Sequence, residues 1–159
     1  MNKNTPKIII SVFGGREADE KQLRDAEAVG KAIAGHGWIL LCGGRGGIME
    51  AVSKGCTEAG GLSIGILPGN DRSDANPYIQ IPIATGVGLA RNEIVARACD
   101  AAVAIGGKYG TLSEIAYALQ FDKTLVTLGS WDIPGSIKAH TPEELIRILE
   151  KSLKDRIKK

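Results

Sequence analysis

The sequence predicts an α/β fold, a parallel sheet with helices on both faces in three α/β/α layers. Two observations carry this. Short aliphatic runs alternate with amphipathic stretches along most of the chain, the pattern of β-α-β crossovers. Several of the runs end in paired glycines, which suit tight strand-to-helix turns.

The elements follow in order. "KIIISVFGG" (7–15) is a β-branched run closed by two glycines, a buried strand. In "DEKQLRDAEAVGKAIAGHG" (19–37), Leu23, Ala26, Val29, Gly30 and Ile33 form a helical stripe, which the glycines at 35 and 37 end. "WILLCGG" (38–44) is the second strand, "GIMEAVSKGCTEAGG" (47–61) the second helix and "LSIGILPG" (62–69) the third strand. The segment 70–88 is rich in Asn, Asp, Pro and Gly and reads as an irregular excursion. It holds a short strand near Ile79–Ile83, which Pro82 confines to a sheet edge. "LARNEIVARACD" (89–100) reads as a helix with Leu89, Ile94, Val95 and Ala98 inward. "AAVAIGG" (101–107) is a buried strand, 111–122 a helix, 124–129 a strand and 141–159 an amphipathic helix. There is no tandem repeat and no linker, so residues 1–159 read as one domain.

Composition excludes several function classes. The formal charge is +2 and aromatics make up 4% of residues, which gives neither the basic surface nor the stacking platforms of a nucleic-acid binder. The run Ile8–Phe13 is far shorter than a membrane span, and MNKNTPK opens no signal peptide. Cys42, Cys56 and Cys99 lie far apart in apolar stretches, as buried free thiols of a reducing cytoplasm would. His36 between two glycines reads as a turn residue, and His140 precedes a helix cap. Neither has partners at metal-ligand spacing, so no metal site is expected. The basic end KSLKDRIKK reads as a solvated helix terminus.

The glycines carry the functional signal. Gly14-Gly15, Gly43-Gly44 and Gly106-Gly107 each follow a strand. In open α/β sheets, ligands bind beyond the carboxyl ends of the strands. Glycine there lets backbone N–H groups approach an anion, and the next helix adds its positive end. A phosphate is the expected guest. The pattern is not a dinucleotide fingerprint, since "VFGGRE" lacks the G-x-G-x-x-G spacing and no acidic residue ends the second strand. It is not a P-loop either, because no G-x-x-x-x-G-K-[ST] is present.

Glu114 is the candidate reactive group. Thr111-Leu112-Ser113-Glu114 has the spacing of a capping box, and so has Thr141-Pro142-Glu143-Glu144, where nothing suggests a site. Spacing alone therefore leaves cap and catalyst open. Arg91, after the flexible "GVG", is the candidate cation for a phosphate or a leaving group. Asn92 is a candidate ligand contact. Lys108, Tyr109, Gly110 and Thr111 complete the candidate phosphate loop, and Arg16 and Arg45 follow their own glycine pairs.

Taken together, "LLCGGRGGIMEAVSKG", "ANPYIQIPIATGVGLARNEIVARACDAAVAIGG" and "YGTLSEIAYAL" resemble the LOG-like (Lonely Guy) family, over about residues 7–130. The likeness is greatest to its small bacterial branch related to molybdenum cofactor carrier proteins. The resemblance implies a Rossmann-like sheet and a homodimer or homotetramer. It also implies hydrolysis of the N-glycosidic bond of nucleoside 5′-monophosphates, the activity of the best-known members. Their signature P-G-G-x-G-T-x-x-E, with an upstream arginine, falls on Gly110, Thr111, Glu114 and Arg91. Here P-G-G becomes Gly106-Gly107-Lys108, and Arg91 sits in L-A-R-N-E rather than an R-K context. The lysine decarboxylase label attached to the family finds no pyridoxal phosphate site in this chain.

Two readings follow. In one, a nucleoside 5′-monophosphate is bound and hydrolysed to free base and ribose 5-phosphate, with Glu114 and Arg91 catalytic. In the other, the protein carries molybdenum cofactor or a related phosphorylated pterin without turnover, and the 75–86 segment forms a lid or pocket wall. Neither needs a resident cofactor; a nucleotide or molybdenum cofactor enters as ligand.

Overall fold

The computed structural model describes residues 5–157. The N-terminal MNKN and the last two lysines of the basic end, Lys158 and Lys159, lie outside the described residues.

Seven strands form one all-parallel sheet in the order β4-β3-β2-β1-β5-β6-β7. They are β1 (Ile9–Gly14), β2 (Ile39–Cys42), β3 (Leu62–Leu67), β4 (Ile81–Ala84), β5 (Ala101–Ile105), β6 (Thr124–Leu128) and β7 (Ile137–Ala139). The helices are α1 (Glu20–Gly35), α2 (Ile48–Glu58), α3 (Arg91–Arg97), α4 (Tyr109–Gln120) and α5 (Pro142–Ile157). The chain builds outward from β1 to β4, then returns to place β5 on the other flank of β1. The strand order thus reverses between β1 and β5, where open α/β sheets form their ligand crevice.

Side-chain alternation sets the layers. Ile10, Val12, Val103 and Ile105 face α1, α2 and α5, packing on Val29, Ile33, Val52 and Leu149. Phe13, Ala102 and Ala104 face α3 and α4, packing on Val95, Ile115 and Ala118. Each fully buried Val, Leu, Ile or Phe side chain among these contributes about 1.5–3 kcal/mol. α1 and α2 lie so close that a Cβ on Gly30 would strike the Val52 carbonyl, and one on Gly55 the Glu27 carbonyl.

The structure changes the sequence reading in three places. The helix expected over 89–100 begins as a 3-10 turn at Gly88–Ala90 and is helical only over Arg91–Arg97. Val95 is inward as expected, but Leu89 is 83% exposed, and Ile94 and Ala98 are exposed as well. Asn92, Ala96 and Cys99 are buried in their place. β7 was not expected; it is three residues long and takes its register from β6. α4 starts at Tyr109, two residues before the expected Thr111. His36 lies in the turn that ends α1, as its C-cap, with its ring stacked on Trp38 at 4.4 Å.

The edge strand runs over Ile81–Ala84, and Pro82 sits on it opposite Gly65. The three cysteines are free and buried. Among the described residues, no helix is long and apolar enough to cross a membrane.

Candidate functional site

A cleft of about 390 Å³ opens at the carboxyl end of the sheet, over the junction of β1 and β5. Gly14 and Gly15 line it from the β1 loop, Arg91 and Asn92 from α3, and Thr111 and Glu114 from α4. Arg16, Glu17, Lys108 and Gly110 stand around it as well.

α4 enters this cleft without a cap. Lys108 is its N-cap residue and makes no side-chain capping bond. The first intrahelical bond runs from Leu112 N–H to the Lys108 carbonyl at 3.0 Å. The N–H groups of Tyr109, Gly110 and Thr111 are left without intrahelical partners. Gly106 and Gly107 take φ values of +55° and +91°, and a Cβ on Gly107 would overlap the Thr111 side chain. The loop is therefore closed to other residues at that point.

The capping-box reading of Thr111 and Glu114 does not survive. Thr111 is the third residue of the helix rather than its cap, and Glu114 lies in the second turn. The matching segment at the start of α5 does cap: Thr141 Oγ1 accepts from Glu144 N–H at 3.1 Å, and the Glu144 carboxylate accepts from His140 N–H at 2.8 Å.

Glu114 is 8% exposed and forms part of the cleft wall. Burial pushes its carboxyl up to about 8, against a smaller opposing pull from Arg91. The group is therefore mainly protonated at neutral pH and presents a hydrogen-bond donor. Arg91 is held by backbone: its Nη1 donates to the carbonyl oxygens of Gly43 at 2.5 Å and Ile66 at 2.9 Å. Its Nε is buried with no partner. Burial lowers the Arg91 pKa from its ordinary value, and Glu114 partly restores it. Asn92 donates to Ser113 Oγ at 3.1 Å, tying α3 to the first turns of α4.

Some expected residues are elsewhere. Gly43 and Gly44 do not line the cleft, and Gly106 and Gly107 shape its loop without lining it. Gly43 instead leaves room for the Arg91 guanidinium and the Met49 sulfur, both of which a Cβ would strike. Tyr109 is 81% exposed beside Trp131 and points away from the cleft lining. Arg45 lies 3.9 Å from Asp74, outside the cleft. The 75–86 segment forms no lid or wall of this cleft. Its buried Asn76 donates from Nδ2 to the Arg45 carbonyl at 2.9 Å, and its Oδ1 accepts from Tyr78 N–H at 3.0 Å. Met49 and Glu17 were missed from sequence. Glu17 pairs with Lys108 at 2.7 Å across the two loops, a contact that 91 positions of sequence separate. Among the described residues, no group of three or more His, Cys, Asp or Glu side chains gathers as a metal site.

A model of the SLOG cluster4 family matches residues 7–156. The chain belongs to this family. Among solved structures, a molybdenum cofactor binding protein from the phototrophic bacterium Rippkaea orientalis superposes with a TM-score of 0.89 at 36% identity, covering 94% of this chain and 99% of that one. The Moco carrier protein of Chlamydomonas reinhardtii gives 0.86 at 40% identity, with the same coverages. A cytokinin riboside 5′-monophosphate phosphoribohydrolase from Mycobacterium marinum is 31% identical over 127 residues, 74% of this chain and 68% of that one. The SLOG cluster4 chain thus resembles both carriers and hydrolases, as its motifs implied.

Proposed function

We propose that the cleft binds a phosphorylated small molecule and that the protein acts as its carrier, for molybdenum cofactor or a related phosphorylated pterin. The observation that carries this reading is the uncapped first turn of α4. Its free N–H groups and positive dipole end face the cleft beside Lys108 and the Gly14-Gly15 loop, a ready seat for an anion. The end-to-end likeness to the two carrier structures supports carriage over turnover. Lys108, Gly110 and Thr111 surround the phosphate in this reading, and Glu114, Arg91 and Asn92 contact the rest of the ligand. The exposed Leu89 and Tyr109 support assembly as a homodimer or homotetramer. The three free thiols support a cytoplasmic setting.

A second reading, hydrolysis of a nucleoside 5′-monophosphate, is favoured by one observation: Glu114 is buried in the cleft wall, which raises its carboxyl to about 8 and favours the protonated form. In that reading the C1′–N bond breaks and the departing base takes the Glu114 proton. Water adds to C1′ and returns a proton to the carboxylate. Arg91 orients the ribose or the leaving base.

One experiment separates the two. Wild type and Glu114→Gln are incubated with a panel of nucleoside 5′-monophosphates, and free base is sought by chromatography. Thermal stabilisation by phosphorylated ligands is read in parallel. Carriage predicts stabilisation of both proteins and no free base. Base release by wild type alone overturns carriage in favour of hydrolysis, and no stabilisation of either protein removes the phosphate site itself.

A further inference from the structure

Lys108 stands where electrostatics disfavours it. It is the N-cap residue of α4, beside the positive end of the helix. Arg16 and Arg91 line the same cleft. The lining holds two carboxyl groups, Glu17 and Glu114, and burial keeps Glu114 mainly protonated at neutral pH. Glu17 is thus the single charged carboxylate among three cations. Its Oε2 lies 2.7 Å from Lys108 Nζ, and the pair bridges the β1 loop to the β5 loop across the cleft mouth.

Both side chains are largely exposed, at 78% and 80%. An ion pair this open contributes little to stability and is readily exchanged. Glu17 therefore does for Lys108, in the free protein, what a bound anion would do in the complex.

We infer that Glu17 is a selectivity residue of the cleft: it holds Lys108 across the mouth and yields it to the phosphate of an incoming ligand. The inference rests on the phosphate-binding reading above. Only a ligand whose charge exceeds that of a carboxylate gains by displacing Glu17. A doubly charged phosphate monoester does so. The same molecule without its phosphate leaves the pair intact and forgoes Lys108. Glu17 thereby sharpens discrimination between phosphorylated and unphosphorylated forms, while holding overall affinity down so that the ligand can leave.

The test titrates inorganic phosphate and AMP, with adenosine as the uncharged control, at low ionic strength. The proteins are wild type, Glu17→Gln, Lys108→Gln and the double variant. Glu17→Gln is expected to bind phosphate and AMP about three- to tenfold more tightly than wild type, with adenosine unchanged. Lys108→Gln is expected to bind both anions more weakly. On the Lys108→Gln background, most of the gain from Glu17→Gln disappears, because no lysine remains to be released. Both side chains lie at the surface, so thermal denaturation should show all four proteins folded. If anions bind but Glu17→Gln gives no gain, or an undiminished gain without Lys108, the exchange is wrong and the phosphate site stands. If neither phosphate nor AMP binds any of the four proteins, the phosphate site fails and the exchange with it.

Discussion

The guanidinium of Arg91 occupies the space that a side chain at position 43 would need. Its Nη1 bonds the Gly43 carbonyl, and a Cβ on Gly43 would overlap both that nitrogen and the Met49 sulfur. The second glycine pair, on β2, therefore serves the site indirectly, by seating a cation that arrives from α3.

Gly43→Ala should accordingly displace Arg91 and Met49. The backbone at Gly43 is not in the left-handed region, so the effect is steric. Overpacking of this kind costs about 1–3 kcal/mol. Urea unfolding should show that loss, and titration with AMP should show weaker binding than a comparably destabilised variant far from the cleft.

Glu114 predicts a pH dependence. Its folded-state pKa, about 8, lies above the ordinary value of 4.5, so the folded protein holds the proton more tightly than the unfolded chain. This contribution to stability is fully present below pH 4.5 and is lost as pH rises through about 8. Glu114→Gln removes the titration. Thermal melts should show the variant gaining on wild type from pH 5 to pH 9, by on the order of a few kcal/mol.

His36 should act in the same direction through a different contact. Its Nδ1 lies 2.8 Å from the Ala32 carbonyl and its Nε2 lies 2.6 Å from Glu150. The Ala32 bond, then Glu150, raise its pKa above 6.5, while burial and Lys154 oppose this. The stabilisation is complete below pH 6.5 and fades as pH rises through the folded-state value. His36→Gln should cost about 0.5–1 kcal/mol at pH 5 and less at pH 9, read as urea midpoints.

Gly55→Ala tests the contact between α1 and α2. A methyl group there meets the Glu27 carbonyl, and the two helices must separate. A loss of about 1–3 kcal/mol is expected, with ligand binding to the folded fraction unchanged.

The sheet and its loops were legible because their signals are local. Runs such as Ile8–Phe13 and Ala101–Ile105 are almost wholly apolar, and the pairs Gly14-Gly15, Gly43-Gly44 and Gly106-Gly107 each sit at a strand end. The start of α4 was not legible, because Lys108, Tyr109 and Gly110 carry no capping signal and the T-x-x-E behind them imitates one. The inward face of 89–100 was misread because a helical period assumes a full helix. A 3-10 turn ahead of Arg91 rotates Leu89 out to solvent. The Glu17–Lys108 pair depends on strand order, which no local pattern encodes.

The position of β1 between β2 and β5 bears on how the molecule assembles. One flank of β1 is completed only by β5, and Ile9 N–H reaches the Asp100 carboxylate across 91 positions. Such distant pairing is slow to form, since a long loop must close before its contacts are gained. The cleft lies on that seam, so a nascent chain ending before β5 holds Gly14, Gly15 and Arg91 but no site. A bound anion then stabilises a junction that local structure alone cannot make. How the ligand divides its effect between the folding and unfolding rates then reports whether the β1–β5 seam is already formed in the transition state.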